Sequence, residues 1–338
     1  MRPLQLVVPL LIAACSAKIP TASAPTSRQD MIFTGMCDAS GAVALSDDLF
    51  AVADDEDNVL RIYDARHGGA AVATSDALAD MAVELAGAGR HKHATKPREL
   101  DIEGATRLGD VALWITSHGR SSSGKERPER LVLFGTTAPA NATRIERLGA
   151  PYVHLLDDLA SDPRFAAFDL VDAAERAPKD PGGLNIEGLT ERPDGAVFIG
   201  FRNPLPGGKA LLVPLLNPLP VLNGEPARFG DPVLLDLGGL GIRSLSWWRG
   251  RYLIAAGHFA DGATSRLVTW DGKGVPQPIA DVDLRHFNPE AFFTPERVDR
   301  ILLLSDDGSD VIDGAPCKRL SDAGRKRFRG RWIALAAP

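Results

Sequence analysis

The chain has 338 residues, of which 44% are hydrophobic and 24% charged, a globular composition long enough for one large domain or two small ones. A formal net charge of -6 argues against a nucleic-acid partner. Beyond the N-terminus no apolar run approaches the roughly 20 residues that a membrane helix needs.

Arg2 followed by the apolar stretch from Leu6 to Ala14 reads as a targeting segment. The run Ile12-Ala13-Ala14-Cys15 resembles a bacterial lipobox, which implies a signal over residues 1–15 ending at an acylated Cys15. A competing cut after Ala22-Ser23-Ala24 is disfavoured by Pro25. Ser16 favours an outer-membrane anchor on the periplasmic side. Residues 16–30, rich in Ala, Ser, Thr and Pro, are expected to be a tether, and residues 31–338 a single domain. Export implies an oxidising compartment, so Cys37 and Cys317 are expected to pair and tie the start of the domain to its end. Two separate buried thiols are the alternative. A monomer is expected.

Five segments of the domain align as a repeat. They begin ASGAVALSDDLFAVADDED at Ala39, IEGATRLGDVALWITSHGR at Ile102 and IEGLTERPDGAVFIGFRNP at Ile186, then IRSLSWWRGRYLIAAGHFA at Ile242 and PEAFFTPERVDRILLLSDDG at Pro289. Each places a polar anchor before a small residue, then a strand, a turn, and a second strand ending in polar residues. The anchors are Ser40, Glu103, Glu187, Arg243 and Glu290. Fifteen residues after the first four stand Asp55, His118, Arg202 and His258; Asp306 follows Glu290 one residue later.

Further strand-like runs follow each hairpin: 58–64, 130–136, 209–216 and 265–272, with a fourth run such as 232–239 before the next repeat. Four antiparallel strands per unit predict an all-β propeller, with five blades favoured and six the alternative if 143–159 forms another. A helix is expected over Pro163 to Glu175. Residues 31–35 and 331–337 should share one composite blade that closes the ring and leaves no open edge.

In a propeller the first strand of each blade lines the channel, so the anchors and the residues ending the second strands meet at one mouth. Glu103, Glu187 and His118 are therefore the candidate catalytic groups. Arg120, Arg202, Asn203, Arg243 and His258 are the candidate ligand-binding groups, and Asp54, Asp55, Asp57, Glu290 and Asp306 the candidate metal ligands. Ca²⁺ fits such a set because it takes six to eight oxygens. The competing reading is that Arg–carboxylate pairs only lock blade to blade. His91 and His93 read as a solvated loop, and Trp247 and Trp248 as packing between blades. No G-x-S-x-G is present, which excludes the usual α/β-hydrolase nucleophile.

The phrases GMCDASGAVAL, VADDEDNVLRIY, LDIEGATRLGD, SHGR, GLNIEGL, GFRNPL, GKALLVPLLNP and LDLGGLGIRS together resemble the bacterial domain-of-unknown-function family 3616, from about Gly35 to the C-terminal region. That family brings no established activity. NIEGLTERPDGAVFIGFRN is similar to the repeat of esterase-like phytase propellers, which implies fold more than reaction.

The expectation is an exported, lipid-anchored propeller whose charged mouth binds a small anionic or polyhydroxylated ligand with Ca²⁺. Phosphoester hydrolysis leads among activities. There Glu103 or Glu187 would be base or metal ligand, and Arg202 and Arg243 phosphate clamps. A glycosidase and a non-enzymatic envelope interaction module are the alternatives.

Overall fold

The structure, a computed structural model, describes residues 30–88, 98–260 and 265–335. The acylation candidate Cys15, most of the tether, and His91 and His93 lie outside the described residues.

Among the described residues the chain forms a five-bladed β-propeller. The first blade runs Gly41–Ala44, Leu49–Ala53, Leu60–Asp64 and Ala73–Ser75. The second runs Ile102–Leu108, Val111–Thr116, Leu133–Thr137 and Arg147–Tyr152. The third runs Asn185–Glu191, Val197–Asn203, Ala210–Leu215 and Val233–Leu235. The fourth runs Gly241–Trp248, Arg251–Gly257, Ser265–Trp270 and Gln277–Pro278. The fifth runs Pro289–Phe293, Arg300–Ser305, Arg327–Ala334 and, from the other end of the chain, Met31–Thr34. Each inner strand packs on the next, and that of the fifth blade on that of the first, so the ring closes.

The reason for the fold is visible in the burial. The second strands read as continuous apolar runs, such as Val197–Asn203, buried along its whole length. A strand buried on both faces needs a neighbouring sheet on each side. Five hydrophobic clusters result, one for each blade-to-blade interface.

Closure has three fastenings. Met31 to Thr34 pair antiparallel with Gly330 to Arg327. Phe33 stacks on Phe328 at 5.0 Å inside the composite blade, and Phe50 on Phe293 at 5.1 Å across the seam between the last and first blades. Cys37 and Cys317 are joined by a disulfide spanning 280 residues.

The structure corrects several local expectations. The stretch 143–159 forms no sixth blade; Arg147–Tyr152 is the outer strand of the second. The single helix expected over 163–175 is a 3₁₀ turn, Pro163–Phe168, followed by a short helix, Leu170–Ala174. The break falls at Asp169, whose φ of 48° is left-handed and cannot continue a right-handed helix. Helices at Ala79–Ala88 and Leu155–Ser161 were not expected.

Candidate functional site

The polar anchors reach the channel because of a defect in each sheet. In the second blade Ile102 pairs with Thr116 and Gly104 with Ile115, so Glu103 is an extra residue with no partner. The same one-residue bulge falls at Glu187, at Arg243 and at Glu290. A β-bulge bends the strand and re-aims its side chain, which here points the anchor into the channel mouth. The first blade shows no such shift: its anchor Ser40 is buried, and its hydroxyl donates to the Ala53 carbonyl.

The small residue after each anchor has a matching cause. A Cβ on Gly104 would stand 3.2 Å from the Leu189 backbone nitrogen, so the inner strands approach more closely than a side chain allows.

A cavity of about 790 Å³ occupies this mouth, walled by Glu103, Glu187, Arg243 and Glu290 together with Asp55, Arg202 and Asp306. It gathers residues that the repeat alignment did not single out: Asp38, Asp101, Asn185 and Asn288. All four stand two positions before an anchor. That offset was the signal available in the sequence.

The two sides of the mouth differ. On the third, fourth and fifth blades, acids meet guanidinium groups. Arg202 Nη1 donates to Glu187 Oε1 at 2.6 Å, and its Nε donates to the His258 carbonyl at 3.0 Å. Arg243 pairs with Glu290, donates to Asn288 Oδ1, and lies 3.8 Å from Glu187 Oε2. Asn288 Nδ2 and the Gly308 amide both donate to Asp306, at 2.9 and 2.7 Å.

On the first and second blades, carboxylates meet one another. Donor oxygens of Asp55, Asp101 and Glu103 converge within 4.8 Å. Arg130 Nη1 donates to Asp101 at 2.8 Å, and the same guanidinium also serves Glu99. Glu103 makes no hydrogen bond or ion pair among the described residues, and the buried Oδ1 of Asp55 has no hydrogen-bond partner among them. Burial, then the charge of Glu187, pushes the Glu103 carboxyl well above its ordinary range. Burial, then Asp54, does the same to Asp55. Burial raises Asp101 too, against the pull of Arg130. Two further buried oxygens along the cavity have no hydrogen-bond partner among the described residues: Glu187 Oε2 and Asn185 Oδ1, in residues 3% and 6% exposed.

Several expected site residues stand elsewhere. His118 does not line the cavity; it is buried with φ 54°, its Nδ1 at 2.9 Å from the Thr116 carbonyl. Burial lowers it to about 4, so it is neutral at pH 7. Arg120 turns away to the helical insertion, donating to the Ala174 carbonyl at 2.8 Å and pairing with Glu175. Asn203 Nδ2 donates to the Pro178 and Asp180 carbonyls and holds that loop. His258 has an exposed side chain, and only its carbonyl meets the site, through Arg202.

Asp54 is a turn-former: its carboxylate accepts from the amides of Glu56 (2.8 Å) and Cys37 (3.4 Å). Burial raises it to about 6. Asp57 pairs with Arg61 at 2.7 Å and accepts from the Val59 amide. Of the four adjacent acids 54–57, Asp55 alone lines the cavity. Trp248 is buried between blades with its indole N–H on the Pro295 carbonyl, and Trp247 packs on Tyr252 at 4.7 Å.

A family model described as protein of unknown function (DUF3616) matches residues 122–273. The family resemblance read from the sequence is thereby shown over those residues. The chain matches no curated protein. Similar solved structures include Myxococcus xanthus glutaminyl cyclase, at 12% identity and a TM-score of 0.45, covering 91% of this chain and 96% of that one. The PQQ-bound aldose sugar dehydrogenase of Streptomyces coelicolor is similar at 12% identity and a TM-score of 0.41, covering 91% and 99%. Likeness at this level carries no argument about chemistry.

Proposed function

We propose that the channel mouth binds a divalent cation, Ca²⁺ for choice, on Asp55, Asp101 and Glu103, and holds a small anionic ligand against it, with phosphoester hydrolysis as the reaction. The carrying observation is the convergence of these three carboxylates beside buried oxygens of Asp55, Glu187 and Asn185 that have no hydrogen-bond partner among the described residues. Buried charges are otherwise paired or coordinate metals, and oxygen-only donor sets suit hard cations. A cation there would relieve the repulsion that raises Glu103 and Asp55.

On these three residues the donor set favours a cation over a glycosidase pair. The three carboxylates crowd within 4.8 Å, whereas a glycosidase keeps its two carboxyl groups roughly 5 to 9.5 Å apart around a sugar. Arg202 and Arg243 are held by Glu187 and Glu290. Arg243 thereby clamps the fourth blade to the fifth, and Arg202 pairs inside its own blade while reaching the His258 carbonyl of the next, so the cation supplies the positive charge that a phosphate would meet. In the reaction, water adds to phosphorus and its proton passes to Glu103. The phosphorus–oxygen ester bond then breaks, and the departing oxygen takes that proton back from Glu103 and leaves as the alcohol.

A non-enzymatic envelope interaction module remains the second reading, favoured by those same arginine clamps. We also propose that Cys15 is acylated and anchors the domain in the cell envelope; the Cys37–Cys317 disulfide supports an oxidising compartment. Replacement of Cys15 by Ser would then release the protein from the membrane fraction.

The functional test is a phosphomonoesterase, phosphodiesterase and glycosidase screen with Ca²⁺ and with chelator. Phosphoester turnover that needs Ca²⁺ and falls at least ~100-fold in Glu103→Gln is expected. Turnover indifferent to both changes contradicts the assignment. Cation binding without turnover of any substrate moves the case to the binding module.

A further inference from the structure

The mouth holds a second convergence of carboxylates, at the seam where the ring closes. Donor oxygens of Asp38, Glu290 and Asp306 lie within 4.8 Å of one another. Asp38 is 6% exposed, lines the cavity, and has a buried Oδ1 with no hydrogen-bond partner among the described residues. Its backbone bridges that of Asp306, so the approach of the two acids is fixed by the fold.

Glu187 pairs with Arg202. The set Asp55, Asp101 and Glu103 has the Arg130 guanidinium on one member. The set Asp38, Glu290 and Asp306 has the Arg243 guanidinium on one member. Each set therefore gathers three carboxylates around one directly paired guanidinium, the surplus of oxygen donors that a hard cation takes.

From this placement we infer that Asp38, Glu290 and Asp306 form a second divalent-cation site, one that fastens the first blade to the last. The inference deepens the function proposed above and rests on that reading for the nature of the cation, but it concerns different residues. Asp38 adjoins the disulfide at Cys37, whereas Glu290 lies in the inner strand of the fifth blade and Asp306 directly follows its second strand. A cation here would cross the seam beside the disulfide and the stacked phenylalanines. Because it binds the closed ring and not the open chain, it stabilises closure by mass action. The neighbouring site, on Asp55, Asp101 and Glu103, joins residues of the first and second blades and is the one placed for ligand.

The test is Ca²⁺ stoichiometry of the full chain by native mass spectrometry, with Tb³⁺ luminescence as a second probe, on wild type, Asp38→Asn and Glu103→Gln. Two equivalents are expected, one lost in each variant. Asp38→Asn should lose part of the thermal shift that Ca²⁺ gives. Asp38→Ser, which removes the second carboxyl oxygen position altogether, should repeat the loss of one equivalent. One equivalent that disappears only in Glu103→Gln overturns this inference and leaves the proposed function standing. One equivalent that disappears only in Asp38→Asn does the reverse. No bound Ca²⁺ or Tb³⁺ at millimolar concentration overturns both.

Discussion

The two halves of the channel mouth solve the same problem differently. Both bring carboxylates into a half-buried ring where water cannot screen them well. On the third to fifth blades the acids Glu187 and Glu290 are met by Arg202 and Arg243, themselves buried. On the first and second blades Glu103 and Asp55 face other acids. Paired charges at a blade interface are scaffolding, and breaking one strands its partner. Unpaired ones are costly in the empty protein and signal a site. The difference teaches that acidity alone does not mark function at this mouth; buried carboxyl oxygens left without a hydrogen-bond partner do.

Removing a guanidinium should produce the largest effect. Arg243→Met leaves Glu290, and part of Glu187, buried without a counter-charge, and should destabilise the domain by about 3–5 kcal/mol in urea unfolding. A change below ~1 kcal/mol would mean that the two halves are alike after all.

The opposite sign is expected across the channel. Without cation, Glu103→Gln removes an uncompensated charge and should raise stability by about 1 kcal/mol at pH 7. The gain must depend on pH. The Glu103 carboxyl is raised in the folded state above its ordinary 4.5. The folded protein therefore holds this proton more tightly than the unfolded chain, and wild-type stability falls as pH rises through 4.5 towards the folded value. The variant should match wild type at pH 4 and exceed it progressively above that. An advantage that is constant with pH would place the effect in packing.

The smallest effect is expected at Asp57, outside the cavity. Asp57→Asn weakens a partly exposed pair with Arg61, and should cost under about 1 kcal/mol while leaving Ca²⁺ affinity unchanged. A clear loss of Ca²⁺ binding would extend the site into the turn at 54–57.

The fold was legible because the repeat carries it. Polar anchor, small residue, strand, turn and strand recur with a constant interval of fifteen residues in four units, and the described inner and second strands stand where that pattern places them. The small residues after the anchors mark where inner strands nearly touch, as at Gly104. The site was legible in half. Glu103, Glu187, Arg243 and Glu290 line the cavity, as do Asp55, Arg202 and Asp306. The equivalent position of His118 misled, because its left-handed backbone buries the ring against Thr116. Arg120 and Asn203 follow strands that point at the mouth, yet neighbouring loops with exposed carbonyl groups capture their side chains. Asp38 and Asp101 could have been found two residues before the anchors. The pairing of particular acids with particular arginines could not, since it depends on contacts between blades as far apart in sequence as Arg243 and Glu290.

The most direct test of the central claim is thermal unfolding of the full chain at neutral pH across a Ca²⁺ titration, in wild type and Glu103→Gln. The account predicts a melting temperature that climbs with Ca²⁺, by the equivalent of about 2.7 kcal/mol at one hundred times the dissociation constant for one site, and a smaller climb in the variant. A wild-type melting temperature that does not move up to millimolar Ca²⁺ would contradict it.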